Sequence, residues 1–187
     1  MNGGVWNDSL IRTYCEGFGL VKPYDPALVN PCTIDLRLGN TMRRADSMYR
    51  SMTIERMREL IDELGEWDFP TWAEPFEFET AWIMPGEFVL CHSLETVRIP
   101  TNAVAHLYSK SSMGRTGLEH LHAGLGDPGF VGQWTWEWHN VAKWPIKLIA
   151  GKRYMQMEIV DLVAVPLNDY SITGRYQNQT GPTVSRG

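Results

Sequence analysis

Hydrophobic and polar residues alternate along much of the chain, most regularly in the run 133–139, which reads QWTWEWH. Trp134, Trp136 and Trp138 take every second position there, and polar side chains stand between them. Because successive side chains of a β-strand point to opposite faces, the run predicts a strand with one tryptophan face and one polar face. Glu137 belongs to the polar face, where the neighbouring rings would keep its carboxylate partly dry and suited to proton transfer.

A second alternating run lies near the N-terminus. Ile34, Leu36 and Leu38 share one face, and Asp35 and Arg37 share the other. The pattern predicts a half-buried strand. An edge strand with solvated Asp35 and Arg37 explains the alternation as well as a strand that supports a functional site does.

Shorter apolar runs, separated by glycine and proline turns, continue through the rest of the chain. Many short strands at even spacing are typical of a barrel or a jelly-roll-like sheet, so the sequence predicts a mainly β fold with a few short helices. The further predicted strands are 76–79, 82–84, 88–90, 97–99, 104–107, 145–148 and 154–162.

Two segments carry helical signals instead. The polar triplet 7–9 can cap a helix from Leu10 to about Cys15, and the glycines that follow would end it. Apolar residues recur at helical spacing through 53–64, where Thr53 is placed to be the N-cap. We interpret the surrounding region, about 46–75, as an insertion whose amphipathic helix packs on the core or on another subunit rather than acting as a lid.

Length and composition narrow the class of protein. With 187 residues, 43% of them hydrophobic and 21% charged, the chain fits a single globular domain spanning residues 1–187. A net charge of −5 provides no basic field for nucleic acid, so no nucleic-acid partner is expected. No apolar run suggests a membrane span, and the three cysteines are too widely spaced for a disulfide framework. We therefore expect a cytoplasmic protein without a membrane partner.

Candidate chemistry lies just before the tryptophan strand. The loop 109–112 reads SKSS and is followed by Arg115, a combination of hydroxyls and cations that can hold phosphate oxygens. The turn 126–129, GDPG, comes next. Loops of this composition are common, however, and a lone strand glutamate is more often solvated or ion-paired than catalytic. The tryptophan face, likewise, is more often core or subunit interface than a base-stacking platform.

Several segments resemble the dCTP deaminase family, a branch of the dUTPase-like superfamily. KSSMGRTGL, AGLGDPGFVG and TWEWHNVAKWPIKLIAGKRYMQ resemble its central block. NPCTIDLRLGN and PGEFVLCHSLETVRIP resemble earlier signatures, and YSITGRYQNQTGPTVSRG resembles its C-terminal segment. The resemblance spans about residues 8–38 and 85–186, and it implies a distorted jelly-roll or β-barrel of the dUTPase-like type.

The resemblance also implies hydrolytic deamination of dCTP in a homotrimer with sites shared between subunits. Mg²⁺ would be bound mainly through the triphosphate rather than by protein ligands, and the tail, here 170–187, would fold over the nucleotide. The residues that match the family's catalytic positions are Glu137, Ser111, Arg115 and Asp127. The residues that match its substrate-binding positions are Lys110, Ser112, His122, Ala123, Gly124, Gln156, Arg175, Tyr176 and Gln179.

Two motifs bear on the reaction. Zinc-dependent cytosine deaminases carry H-x-E and P-C-x-x-C motifs, which this sequence lacks; the adjacent Cys91 and His92 have no distant partner. The segment 123–130, AGLGDPGF, is nearer the form of family members that release pyrophosphate and yield dUMP. Formation of dUMP from dCTP, for pyrimidine deoxynucleotide supply, is therefore the favoured interpretation.

His122 and Gly126 depart from the family, which usually has threonine and isoleucine at these positions. Compensated repacking is one explanation. An altered pocket would instead give a dUTPase, an enzyme for a modified pyrimidine, or changed feedback inhibition by dTTP. A deaminase that stops at dUTP and a non-catalytic nucleotide-binding regulator are also compatible with the sequence.

Overall fold

The structure is a computed structural model that describes residues 4–46, 52–65, 71–120 and 123–186. Most of its regular elements are strands, which confirms the predicted mainly β class. The helices are α1 (Asp8–Gly17), α2 (Ile54–Leu64), α3 (Ser111–Gly114) and α4 (Tyr170–Thr173). The strands are β1 (Val21–Lys22), β2 (Ile34–Arg37), β3 (Thr41–Arg44), β4 (Phe76–Glu77), β5 (Thr80–Ile83), β6 (Phe88–Arg98), β7 (Ala103–Ser109), β8 (Leu118–His120), β9 (Leu125–Gly126), β10 (Val131–Asn140), β11 (Ile146–Ile149) and β12 (Arg153–Asp161).

The strands pair in antiparallel fashion in three sheets. β4, β3, β6, β10 and β8 follow one another in the largest sheet, where β1 also pairs with β6. β2, β12, β7 and β9 form the second sheet in that order, and β5 pairs with β11. Among the described residues the sheets are jelly-roll-like and do not close into a barrel, so the jelly-roll form of the prediction is confirmed.

Both larger sheets contribute to one hydrophobic core. Ile34 and Leu36 of β2 are fully buried, and so are Trp136 and Trp138 of β10, whose ring centroids lie 5.2 Å apart. Burial of each such side chain stabilises the fold by about 2–3 kcal/mol. These two tryptophans therefore belong to the core of the single chain.

Helix α1 follows from local sequence. The side chain of Asn7 accepts a hydrogen bond from the backbone N–H of Leu10, and Ile11 and Cys15 are the buried residues of the helix. The helix begins at Asp8 and ends at Gly17, so it is longer at both ends than the predicted segment.

No helix in the described part of the chain is long and apolar enough to span a membrane.

Of the two interpretations of strand β2, the one with a solvated Asp35 is wrong. Asp35 is fully buried, and both of its carboxylate oxygens lie 2.7 Å from Nζ of Lys110. Arg153 adds a contact at 3.5 Å, and Nδ2 of Asn30 donates a hydrogen bond of 2.9 Å. Alternation identified the correct strand, but long cationic side chains from distant parts of the chain, Lys110 and Arg153, reach the carboxylate of Asp35 on its polar face.

Helix α2 begins after Thr53, whose side chain accepts a hydrogen bond from the backbone N–H of Arg56, as predicted. None of its residues is buried, so the expected packing on the core is wrong. Arg56 instead pairs with Glu59 and Glu63 along the exposed face. Packing on another subunit stays a prediction, and 47–51 and 66–70 of the presumed insertion lie outside the described residues.

Candidate active site

Glu137 lies on β10 with 27% of its side chain exposed, as expected for the polar face of this strand. A register shift relative to β6 falls between Gln133 and Thr135. Trp134 is buried in the same hydrophobic core as Trp136 and Trp138, and it also lines the cavity that Thr135 and Glu137 line.

The cavity beside Glu137 has a volume of about 660 Å³. Cavities that bind small molecules usually measure about 300–1,000 Å³, so this one has room for much of a nucleotide. Five of the predicted site residues line it: Ala123, Asp127, Glu137, Tyr176 and Gln179.

Aromatic rings form one wall of this cavity. The ring centroid of Phe130 lies 6.0 Å from that of Trp134 and 5.7 Å from that of Tyr170. The hydroxyl of Tyr170 accepts a hydrogen bond of 3.2 Å from the backbone N–H of Tyr176. The wall therefore runs from the strand that carries Glu137 to the C-terminal tail.

Gly126 is required by the packing of this wall. A Cβ at this position would lie 2.6 Å from Cη2 of Trp134 and 3.2 Å from Cβ of Ala105. The indole thus fills the space that a side chain at position 126 would occupy. Of the explanations for this departure from the family, compensated repacking is the one that the geometry supports.

The turn before β10 brings Asp127 to the cavity. The backbone N–H of Phe130 donates a hydrogen bond of 3.1 Å to the carbonyl of Asp127, and Gly129 has a φ of 86°. Such a positive φ favours glycine, as the GDPG pattern predicted.

The C-terminal tail lies along the first half of β10. Gln133 and Gln179 exchange two hydrogen bonds, one of 2.9 Å between backbone groups and one of 2.8 Å from the Gln179 side chain. Further along, the backbone N–H of Thr183 donates to Oγ1 of Thr135, and Nε of Arg43 donates to the carbonyl of Pro182. The tail, which alone resembles a disordered terminus, is held against the cavity by the chain's own strands.

The polar loop lies apart from the cavity. Ser111, Ser112 and Arg115 are exposed, and none of them lines the cavity beside Glu137. Arg115 makes no ion pair with any residue that the structure describes. Within one chain, then, the predicted catalytic residues fall into two groups.

Two predicted phosphate-binding residues lie on the loop side. Lys110 is committed to the buried Asp35 through its Nζ. Gln156 on β12 stands opposite Asp35 and Tyr108 in the two neighbouring strands and is half-buried. Lys110 therefore anchors the loop, of which it is a part, to the buried Asp35 of β2.

A second cavity, of about 420 Å³, contains Gly124 in its lining together with His106 and His120. A Cβ on Gly124 would lie 2.6 Å from the carbonyl oxygen of Leu107, so only glycine fits there. Arg175, another predicted binding residue, is exposed. The predicted residue His122 lies outside the described residues.

His120 is a residue of the site that the sequence patterns did not reveal. It lies at the end of β8, and its Nε2 is 3.4 Å from Oε2 of Glu137. Both atoms are buried, and this separation does not meet the geometry of a hydrogen bond. No motif indicates the contact, because it depends on the pairing of β8 with β10.

Cys91 and His92 are structural residues. Burial raises the pKa of the Cys91 thiol far above its ordinary range. Nδ1 of His92 lies 2.8 Å from the Ser93 carbonyl, and Nε2 lies 2.7 Å from the Thr41 hydroxyl. Within the described ranges there is no group of three or more His, Cys, Asp or Glu side chains placed to hold a metal ion.

Comparisons with known proteins extend these observations. The family model described as dCTP deaminase-like matches residues 6–162. The "dCTP deaminase, dUMP-forming" of Mycolicibacterium smegmatis is 38% identical over 170 residues, which are 89% of this chain and 86% of that protein. The protein of the same description from Thermobifida fusca is 39% identical over 186 residues, which are 96% of this chain and 91% of that protein.

A solved structure shares the fold. It is the 2'-deoxycytidine 5'-triphosphate deaminase of Agrobacterium tumefaciens, with a TM-score of 0.65 and 21% identity. The match covers 86% of this chain and 49% of that chain, so this chain spans about half of its length.

Proposed function

Since the chain belongs to the dCTP deaminase-like family, we propose that it hydrolyses dCTP to dUMP, ammonia and pyrophosphate. The observation that carries the proposal is the half-buried Glu137 in a nucleotide-sized cavity. The named relatives in the comparison are described as dUMP-forming, which favours this activity over deamination that stops at dUTP. Nothing in the cavity favours a non-catalytic regulator.

Glu137 is the proposed proton carrier. Water adds to C4 of the cytosine as one of its protons passes to Glu137, which delivers that proton to N3 of the ring. The proton of the new hydroxyl then passes through Glu137 to the amine, so that ammonia leaves C4 and the carbonyl of uracil forms. A second water attacks the α-phosphorus and displaces pyrophosphate, which gives dUMP. Ala123 would hold the water and the pyrimidine edge, and Asp127 would lie near the sugar, since both line the same cavity.

The loop residues would reach this reaction from a second copy of the chain. Ser111 would position the water, Arg115 would lie beside the base, and Ser112 would bind phosphate. In the single chain these side chains are exposed and outside the cavity beside Glu137. A homotrimer with sites shared between subunits, as proposed from the family resemblance, would bring the two groups together.

The tail would act as a lid over the nucleotide. Tyr176 and Gln179 line the cavity, and the strand-like contacts to β10 hold this segment across it. The exposed Arg175, with Lys110 and Gln156, would contact phosphates of the shared site. Closure of such a lid excludes water that would compete with the reaction.

Mg²⁺ is the proposed cofactor. Mg²⁺ commonly binds through substrate phosphates, waters and one or two carboxylates, so it does not require a cluster of protein ligands. Asp127 is a carboxylate in the cavity wall that fits such a minor role. When bound, the ion would offset the negative charge of the triphosphate. The chain as a whole does not offset it, because its own net charge is −5.

Two assays test the function. The purified protein is incubated with Mg²⁺ and either dCTP or dUTP, and the products are separated by ion-exchange chromatography. We expect dUMP, pyrophosphate and ammonia from dCTP, and a loss of about 10²–10⁴-fold in Glu137→Gln. Accumulation of dUTP would replace the proposal by a deaminase that stops there. Release of dUMP from dUTP alone, without ammonia from dCTP, would identify a dUTPase.

A competition assay tests the regulatory expectation. dTTP shares the sugar and triphosphate of the substrate, so we expect it to inhibit dCTP turnover. The location is also a proposal: we propose a cytoplasmic enzyme, in keeping with free cysteines at positions 15, 32 and 91.

A further inference from the structure

The contact between His120 and Glu137 joins two buried polar atoms. Nε2 of His120 and Oε2 of Glu137 have no solvent access, and neither makes a hydrogen bond within the part of the chain that the structure describes. The atoms are 3.4 Å apart, and the side chain of His120 is only 5% exposed. A buried polar atom without a partner costs about 1–3 kcal/mol. Each of these atoms is therefore placed to become the hydrogen-bond partner of the other.

The sheet fixes this contact. β8 pairs with β10, and in that register His120 stands opposite Trp138, the residue next to Glu137. Trp138 is fully buried and packs against Tyr154 at a centroid distance of 5.3 Å. The backbone positions from which the imidazole and the carboxylate approach each other are therefore set by this pairing and by the core beneath it.

The two side chains face different cavities. Glu137 lines the larger cavity, and His120 lines the smaller one. Leu125 lines both, so the segment that carries it forms the partition between them. A nucleotide in the larger cavity would touch Glu137 and not His120.

From this geometry we propose that His120 is a positioning residue for Glu137, an inference that rests on the function proposed above. A proton on Nε2 of His120 is donated to Oε2 of Glu137, which leaves Oε1 for the attacking water and N3 of the base. The separation of 3.4 Å shortens to hydrogen-bonding distance when the substrate closes the site. A carboxylate held in one orientation passes protons more effectively than one that rotates freely.

Paired substitutions at one position separate this role from simple packing. In His120→Gln the amide nitrogen can replace Nε2, whereas in His120→Asn it replaces Nδ1 and does not reach Glu137. We expect His120→Asn to lower kcat for dCTP deamination about 10²-fold with KM changed less than about threefold, and His120→Gln to recover most of kcat. His106→Asn is the matched control, since His106 lines the same cavity but contacts Glu158.

Equal losses of kcat in the Gln and Asn variants, or a change in KM alone, would overturn the proposal. A measurement without turnover keeps it testable even if the protein proves not to be a deaminase. In urea unfolding, His120→Asn and Glu137→Gln should be coupled, so that the double variant's unfolding constant departs about threefold or more from the additive value. Additive effects would show that the two side chains do not interact, whatever the outcome with dCTP.

Discussion

On what we call the cavity side, Glu137 and Asp127 converge with the C-terminal tail on a single cavity of about 660 Å³. On what we call the loop side, Ser111 of the four-residue helix α3 and Arg115, its C-cap, are exposed to solvent. Both sides carry residues that match catalytic positions of one family. The cavity side is built by hydrogen bonds and packing within the chain. The exposed groups of the loop side do not contact that cavity within the same chain.

The difference shows what a single chain can assemble. Strand pairing places Glu137 against His120, and the tail closes on β10 through its own backbone. The loop is also held firmly, because Lys110 is tied to the buried Asp35, but its exposed residues do not line the cavity. A rigid loop with unpaired functional groups is what a site shared between subunits requires.

The largest expected effect comes from mixing two inactive variants. Glu137→Gln disables the cavity side, and Arg115→Ala disables the loop side. If each site takes its two sides from different copies, chains refolded together at equal amounts should regain about a quarter of wild-type turnover, because random mixing restores that share of interfaces. The measurement is dUMP release from dCTP before and after mixed refolding.

The control for this experiment is each variant refolded alone, which should stay inactive. A mixture that stays inactive although the variants exchange subunits would mean that each site comes from one chain. The loop would then have to move toward Glu137 within its own subunit.

Two loop substitutions should separate anchoring from ligand binding. Lys110→Ala leaves the buried Asp35 with weaker partners, and we expect a loss of about 2 kcal/mol in the free energy of unfolding. This loss is smaller than that for a fully buried ion pair, because solvent reaches Lys110, which is 24% exposed. Arg115→Ala should change that free energy by less than about 0.5 kcal/mol, since its side chain is exposed, and should lower turnover strongly. Urea unfolding and steady-state kinetics measure the two effects. Equal stability of the two variants would contradict the anchoring role.

The cavity wall should tolerate little change. In Gly126→Ala the new Cβ would meet the ring of Trp134 at 2.6 Å, and overpacking of this kind costs about 1–2 kcal/mol. Trp134→Phe shortens the ring and should relieve part of that cost, so the double variant should be more stable than the sum of the single effects predicts. Thermal or urea unfolding of the three variants tests this. A double variant that is no better than additive would mean that other atoms set the limit at position 126.

Local patterns in the sequence were sufficient for many of the strands, the helix caps and the GDPG turn, whereas the site residues were proposed from the family resemblance. Asn7 and Thr53 cap their helices, and the GDPG turn has its glycine at positive φ. These features depend on neighbours within a few residues, which the sequence displays directly.

Features that depend on distant residues could not be predicted. Asp35 looks solvated on a strand pattern, but Lys110 reaches it across 75 positions of sequence. The register shift between β10 and β6, and the approach of His120 to Glu137, follow from which strands become neighbours. Their partners are set by the packing of the sheets, and no spacing along the chain encodes that.

The smallest expected effect concerns the pH dependence of the sheet that carries the cavity. His92 lies opposite Thr135, a residue of the cavity wall, and burial lowers the pKa of His92 although its hydrogen bond to Ser93 acts in the other direction. The Ser93 carbonyl can only accept, so Nδ1 carries the proton and Nε2 accepts from Thr41. Protonation of Nε2 would require the Thr41 hydroxyl to turn and accept a hydrogen bond instead of donating one.

The sign follows from proton uptake. Below about pH 6.5 the unfolded chain protonates His92 while the folded chain does not, so the folded state loses stability as the pH falls, by at most about 1.4 kcal/mol per pH unit. Burial also raises the pKa of Glu95, which acts in the opposite direction as its carboxyl ionises. His92→Asn keeps the bond to Ser93 and removes the titration. Urea unfolding at about pH 7 and about pH 5.5 should therefore show a smaller change in the free energy of unfolding in the variant than in the wild type. Equal changes in the two proteins would show that the acid sensitivity does not come from His92.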